Sequence, residues 1–222
     1  MAQTVLQKEF KELSKERWVQ IDLDEDNILR WKVVLFVLNT DSPYHGGYLK
    51  CSIAFPRTYP YAPPDFRFSQ PLWHPNIYPD GRICISILHA PGDDILSGES
   101  AGERWSPAQR VESVLISILS LLDDPEISSP ANVDASVMYR DDRDAFNARV
   151  RQDIDKTRLQ IPKGFIMPTQ DCIRPVIQKA EDDDFWNDSD GEADFGDSDT
   201  DNMDNGSDTD GGEGESEDDE ED

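Results

Sequence analysis

Apolar positions along this chain recur first every three to four residues and then every two. In VLQKEFKELSKER, Leu6, Phe10 and Leu13 share one helical stripe, with Lys8, Lys11 and Lys15 on other faces. The runs that follow, WVQIDLD, ILRWKVVLFVL, YLKCSIAF and DFRFS, are rich in β-branched and aromatic residues and read as four strands. Turn material separates them: Asp24–Asn27, then Asn39–Gly47, then the proline-rich FPRTYPYAPP. Links this short favour consecutive antiparallel pairing, a meander, over parallel crossovers.

Beyond Cys84 the pattern lapses into HAPGDDILSGESAGER, a polar, glycine-rich stretch carrying Asp93, Asp94, Glu99 and Glu103. A loop of that length inside a compact domain is usually functional or disordered. SPAQRVESVLISILSLL then gives the clearest helix signal, with Ser106 as N-cap, Pro107 in the first helical position and Gln109 completing a capping box. Val111, Val114, Leu115, Ile118, Leu121 and Leu122 form its apolar stripe. ANVDASVMYR and the strongly charged DDRDAFNARVRQDIDKTRL read as two further helices. Prolines at 162, 168 and 175 leave residues 160–180 ambiguous. No internal repeat is found. Helix, four-stranded antiparallel meander, then C-terminal helices is an α+β arrangement.

Charge divides the chain further. From Glu181 to Asp222 there are 22 acidic residues and no Lys or Arg, so the net charge of −26 belongs mainly to this tail. Its Gly, Ser, Asn and Thr content leaves too little apolar surface to offset the entropy of ordering, and it reads as disordered. The expected organisation is a folded domain over 1–160, an extension of uncertain structure over 161–180 and a disordered acidic tail over 181–222. The tail argues against nucleic-acid binding by that segment and for a basic protein partner. No apolar run approaches the ~20 residues of a membrane span, and the first residues hold no signal-peptide core. Cys51, Cys84 and Cys172 are odd in number with no CxxC, and the three histidines have no metal-ligand spacing, so neither a disulfide framework nor a metal site is expected. A cytoplasmic and nuclear location follows as an expectation.

The stretch HPNIYPDGRICISIL poses the chemical question, since Cys84 is either a packing residue after a turn or a reactive one. With SPYHGGYL (Ser42–Leu49), FPRTYPYAPP (Phe55–Pro64), His74–Asn76, WSPAQ (Trp105–Gln109) and DPEISSPANVDAS (Asp123–Ser136) in this order, the chain resembles the ubiquitin-conjugating enzyme family over residues 5–160. The acidic insertion between Cys84 and Trp105, the acidic tail and SPANVDASVMYR make it similar to the cell-division-cycle class that serves cullin–RING ligases.

That resemblance implies an acyltransferase in which Cys84 takes ubiquitin from the activating enzyme as a thioester and passes it to a lysine. The products would be polyubiquitin chains that mark ligase-bound substrates for degradation. No cofactor is implied, because ATP is used by the activating enzyme and no Walker-type loop is present. Asn76 is implied as oxyanion donor or as holder of the active-site loop, and His74 as a turn-fixing residue rather than a base. Where many members carry an acid before a proline, this chain has Ser129 before Pro130, which offers a hydrogen bond or a phosphorylation point instead of a charge. Class resemblance makes Ser129 and Tyr78 gate residues, with plain loop shaping the equal alternative. Asp93, Asp94, Glu99 and Glu103 are candidates to orient the acceptor lysine, or else a solvated charge run.

Ligase docking by resemblance uses Lys8 and Lys11, Tyr61, and Ser106, Pro107 and Ala108; the activating enzyme shares the helix-1 surface. In the tail, Phe185, Trp186 and Phe195 stand among acids, which suits a basic groove with an apolar pocket, and the class offers the cullin for it. Ser189, Ser198, Ser207 and Ser216 each precede an acid by three residues, as acidophilic kinases require. The rival readings are a non-catalytic ubiquitin-binding scaffold and an acidic histone-chaperone-like protein. The presence of both Cys84 and Asn76 argues against the first, and the second leaves the motifs around Cys84 without a purpose. A thiol protease is poorer still, because no histidine–asparagine pair stands at suggestive distance.

Overall fold

The computed structural model describes residues 2–90, 92, 99–100 and 102–169. The expected tail, with Phe185, Trp186 and Phe195, lies outside the described residues, as do Asp93, Asp94 and Cys172. Helix α1 (Ala2–Leu13) precedes strands β1 (Val19–Asp24), β2 (Asn27–Phe36), β3 (Tyr48–Ala54) and β4 (Asp65–Phe68). A 3₁₀ turn (Ser86–Leu88) and helices α2 (Val111–Asp123), α3 (Val133–Asp141) and α4 (Arg143–Arg158) follow. The sheet runs β1-β2-β3-β4, each neighbour antiparallel, as the short links require.

Period two along the strands builds the core. Val33 pairs with Ile21 on one side and Cys51 on the other, and Cys51 with Phe68; Leu35 likewise lies between Val19 and Leu49. All seven are buried. The β1–β2 link has two residues, Glu25 and Asp26, both in the left-handed region at φ 51° and 56°, which matches the twist of a tight hairpin. Phe10 of α1 meets Trp31 edge-on at 5.5 Å, and Trp31 meets Phe55 at 4.9 Å, so α1 closes one end of the core face.

Helix α2 starts later than its sequence promises. Ser106–Gln109 form a turn, closed by Gln109 N donating to Ser106 O at 3.0 Å, and the helix opens at Val111. The cap expected at Ser106 gives way here to tertiary contacts and to a capping bond at Arg110. Trp105 is buried and its indole N–H donates to Pro60 O at 2.8 Å, which fixes the approach of the chain. Arg110 N donates to Ser113 Oγ, and Val111 N donates to the Glu9 carboxylate of α1 at 2.7 Å. Helices α3 and α4 do obey local capping. Asn132 accepts from Ala135 N, and Asp142 ends α3 and caps α4 by accepting from Ala145 N at 2.9 Å.

After α4 the chain doubles back along the sheet. Phe165 stacks on Phe36 at 5.6 Å and meets Tyr48 edge-on at 5.9 Å, and Ile161 and Met167 join the same apolar cluster. The segment is therefore anchored to the folded core through Ile161, Phe165 and Met167.

Candidate active site

Helix α2 and the loop after β4 meet at His74. The last carbonyls of a helix have no partner within it, and His74 supplies one: its Nε2–H donates to Leu121 O at 2.9 Å. Its Nδ1 accepts from Asn76 N, also at 2.9 Å. Burial pushes the ring pKa down to about 4, against the pull of the Leu121 bond. A neutral imidazole with both nitrogens engaged has no capacity left as a base. His74 fixes the turn.

Asn76 binds on both sides. Its main-chain oxygen accepts from Cys84 N at 2.8 Å, while its side chain pairs with the main chain of Glu126, Oδ1 accepting at 2.9 Å and Nδ2 donating at 2.7 Å. Asn132 N donates to Pro75 O at 2.8 Å, so residues 126–132 are stapled at both ends to the His74–Asn76 turn. Ser129 lies in the exposed middle of that span.

The approach to Cys84 is a reversal over residues 78–82, with Tyr78 N donating to Arg82 O and Gly81 N to Tyr78 O. Gly81 has φ +87°, and a methyl there would collide with the Phe68 carbonyl, so only glycine fits. The Arg82 guanidinium covers the Tyr78 ring at 5.2 Å and reaches Asp80 at 2.7 Å.

The two described cysteines differ in kind. Cys51 is sealed in the sheet, its thiol donates to Leu49 O, and burial holds its pKa well above the ordinary value. Cys84 is half-buried; burial raises its thiol pKa, the Tyr78 hydroxyl opposes that through a hydrogen bond, and the Glu99 charge adds to the rise. Tyr78 in turn is raised by the charge of Cys84 and by burial. The structure thus brings Tyr78 against Cys84.

The acidic insertion does not act as one block. Glu99 folds back on the residues following Cys84, accepting from Ser86 Oγ at 2.9 Å and His89 Nδ1 at 2.8 Å, with Arg104 Nε at 3.5 Å. Burial opposes its ionisation, yet these bonds and the charges of His89 and Arg104 hold its pKa below the usual range. Glu103 is exposed and turned to Ser100 N at 3.0 Å. Of the two described loop acids, Glu99 reaches the neighbourhood of Cys84 and Glu103 does not.

Sequence reasoning passed over three polar residues. Glu9 occupies the buried stripe Ala2, Leu6, Glu9, Leu13, and Asp153 the stripe Phe146, Val150, Asp153, Ile154, Thr157. Asp153 accepts from Trp73 N at 3.1 Å and from Lys156 at 2.8 Å, and so seats the residue before His74. A lone acid at an apolar position of a helical repeat was the available signal for both. The third, Asn132, was visible only as a helix cap.

The docking candidates come from three segments that the fold joins. Lys8 and Lys11 are exposed on α1, flanking Glu9, whose Oε1 accepts from Tyr59 at 2.8 Å. Tyr61 is 62% exposed beside Pro60, the residue that holds Trp105. Pro107 and Ala108 are exposed and Ser106 is half-buried.

The sequence profile described as ubiquitin-conjugating enzyme matches residues 5–154, which takes in every residue of the His74–Cys84 site. The chain belongs to the ubiquitin-conjugating enzyme family. It is 46% identical over 202 residues to the Saccharomyces cerevisiae ubiquitin-conjugating enzyme E2-34 kDa, covering 85% of this chain and 68% of that protein. It is 45% identical over 163 residues to the human ubiquitin-conjugating enzyme E2 G2, covering 71% of this chain and 98% of the relative. A third relative, ubiquitin-conjugating enzyme E2 13 of Arabidopsis thaliana, is 44% identical over 160 residues, 69% of this chain and 94% of its own. As a conjugating enzyme the protein transfers ubiquitin through a cysteine thioester and works with activating-enzyme and ligase partners.

Proposed function

We propose that Cys84 is the thioester-forming cysteine. The contrast between the two cysteines carries this reading: Cys51 has no approach from solvent, whereas Cys84 sits half-open beside Tyr78 with its main chain bolted to Asn76. The Cys84 thiolate attacks the carbonyl carbon of ubiquitin's C-terminal thioester on the activating enzyme, and the activating enzyme's thiolate leaves. One C–S bond forms as another breaks, so no nucleotide is needed at this site. A lysine amine then attacks the Cys84 thioester, loses a proton, and expels the Cys84 thiolate as the isopeptide bond forms.

Asn76 serves that second step mainly by holding residues 126–132 beside the cysteine, since its side chain is committed to Glu126. Tyr78 and Ser129 act as gate residues, Tyr78 from its contact with the thiol and Ser129 from the span that Asn76 and Pro75 pin. Lys8, Lys11, Tyr61, Ser106, Pro107 and Ala108 form the surface shared by activating enzyme and ligase.

The ligase is a cullin–RING assembly, the products are degradation-type polyubiquitin chains, and the enzyme acts in cytoplasm and nucleus. The acidic insertion and acidic tail support this finer assignment, as does an alignment with the yeast relative that runs well beyond residues 5–154. Phe185, Trp186 and Phe195 supply the cullin contacts.

A charging assay with activating enzyme, ATP and ubiquitin tests the centre of this reading. Wild type and Cys51→Ser should form a reductant-sensitive adduct, and Cys84→Ser a reductant-stable ester or none. A thioester that persists in Cys84→Ser would remove Cys84 from the mechanism. Discharge onto substrate with a cullin–RING ligase, with and without residues 181–222, tests the finer part; equal rates across a salt series would count against the tail's role.

A further inference from the structure

Glu9 is a carboxylate on the buried stripe of the docking helix, 5% exposed and bonded twice. Its Oε1 accepts from the Tyr59 hydroxyl at 2.8 Å and its Oε2 from Val111 N at 2.7 Å. Val111 is the first residue of α2, where N–H groups have no partner within the helix and the helix dipole favours a negative charge. Burial, followed by the charge and hydrogen bond of Glu9, raises the Tyr59 phenol pKa, so Tyr59 stays a donor. Trp105 to Pro60 and Arg110 to Glu12 at 3.3 Å tie the same three segments together.

At the opposite end of α2, Leu121 O accepts from His74, whose Nδ1 holds Asn76 N, whose main-chain oxygen holds Cys84 N. The helix is therefore fixed at its start by a buried residue of α1, the helix whose outer face carries Lys8 and Lys11, and at its end by the turn that seats the cysteine. It has 13 residues, a span of roughly 20 Å at 1.5 Å per residue.

We propose that Glu9 is a positioning residue for lysine transfer at Cys84, acting through the placement of α2. By fixing where α2 begins, Glu9 fixes where its last turn offers Leu121 O to His74, and hence the seat of Asn76 and Cys84. Packed helices shift as units, so a displaced start of α2 displaces its last turn. The inference rests on the reading of Cys84 as the thioester residue.

The test needs no ligase. Wild type, Glu9→Gln, Tyr59→Phe and Val150→Ala are charged with ubiquitin, freed of activating enzyme and chased with free lysine over a concentration series. Glu9→Gln is isosteric but can keep only one of the two accepted bonds. Its maximal discharge rate should fall roughly five- to tenfold, with the half-saturating lysine concentration unchanged. Val150→Ala, a cavity in α4 that costs stability away from α2, should discharge at the wild-type rate. In a His74→Gln background, the Glu9→Gln effect should shrink below its value in wild type. A wild-type discharge rate in Glu9→Gln, or a fall matched by Val150→Ala, overturns the proposal. Should Glu9→Gln not fold, Tyr59→Phe decides, with a fall of about two- to threefold expected and a wild-type rate overturning it. If wild type forms no thioester, the reading of Cys84 fails and this inference with it; an indifferent Glu9→Gln on a chargeable wild type sinks this inference alone.

Discussion

The sheet and the segment from Ser69 to Asn132 are held together in different ways. Across β1–β4 the main chain satisfies itself, rung by rung, and side chains merely alternate between core and exterior. Around Cys84 the ladder shrinks to the isolated pairs Arg67–Arg82 and Ile77–Ile83, and named side chains add the bonds that hold the parts together: His74 to Leu121, Asn76 to Glu126, Asp80 to Arg82, Glu99 to Ser86 and His89. A framework of the first kind tolerates change residue by residue. One of the second kind fails at specific residues, and that is where a reactive thiol can be aimed.

The largest expected effects separate the two regions cleanly. Leu35→Ala, in the middle of the sheet, should cost about 2–5 kcal/mol of stability, read by urea denaturation, while the folded fraction still charges normally. Asn76→Ala should do the reverse. Its stability loss should be about 1–3 kcal/mol, but single-turnover discharge onto lysine should fall at least tenfold, toward the ~10² that a small misplacement of a reacting group can cost, because the 126–132 span comes loose from the catalytic turn. Equal discharge losses in both variants would erase the distinction.

Next comes pH. The unfolded His74 titrates near 6.5, and the folded ring only near 4. A base whose folded pKa is depressed binds fewer protons when folded, so its contribution is intact above about pH 6.5 and lost as pH falls toward 4. By pH 5 the loss should be about 2 kcal/mol. Urea midpoints measured between pH 7.5 and 5 should drop in wild type and stay flatter in His74→Gln; parallel curves would assign the acid sensitivity elsewhere.

Smaller effects sharpen the view of the thiol itself. Glu99→Gln removes a charge that raises the Cys84 pKa, and Tyr78→Phe removes a hydrogen bond that lowers it. The pH midpoint of iodoacetamide alkylation should therefore move down in the first variant and up in the second, with Cys51 silent in both. Shifts of one sign would mean that the loop geometry, not the local charge, controls the thiol. Smallest of all, Ser106→Ala should change stability by less than about 0.5 kcal/mol, whereas Asn132→Ala should cost about 1 kcal/mol, because only the second residue caps a helix.

That last pair marks how far the sequence could be read. The strands, α1 and the two C-terminal helices were legible because burial repeats at two or at three to four residues, and a periodic cause leaves a periodic trace. The start of α2 was misplaced by four residues, since Ser106 and Pro107 carry the local signs of a helix N-terminus while a bond that sets it comes from Glu9, far away in the chain. Around Cys84 the residue types were legible through the family resemblance, but their directions were not. Nothing local tells that Glu99 turns inward onto His89 while Glu103 turns to its own loop. Contacts of long sequence separation leave no pattern for a single chain to display.

The segment that doubles back over the sheet bears on how this enzyme should be shortened. The family match ends at residue 154, yet Phe165 lies over Phe36 and Tyr48. A chain cut at 160 would bare two neighbouring aromatic rings on the outward face of the sheet, where Val34 is already partly uncovered. Such a fragment should fold, charge and then cling to its own copies or to hydrophobic resin, and its poor behaviour would be mistaken for a property of the longer chain. Ending the chain at 169 keeps the rings covered.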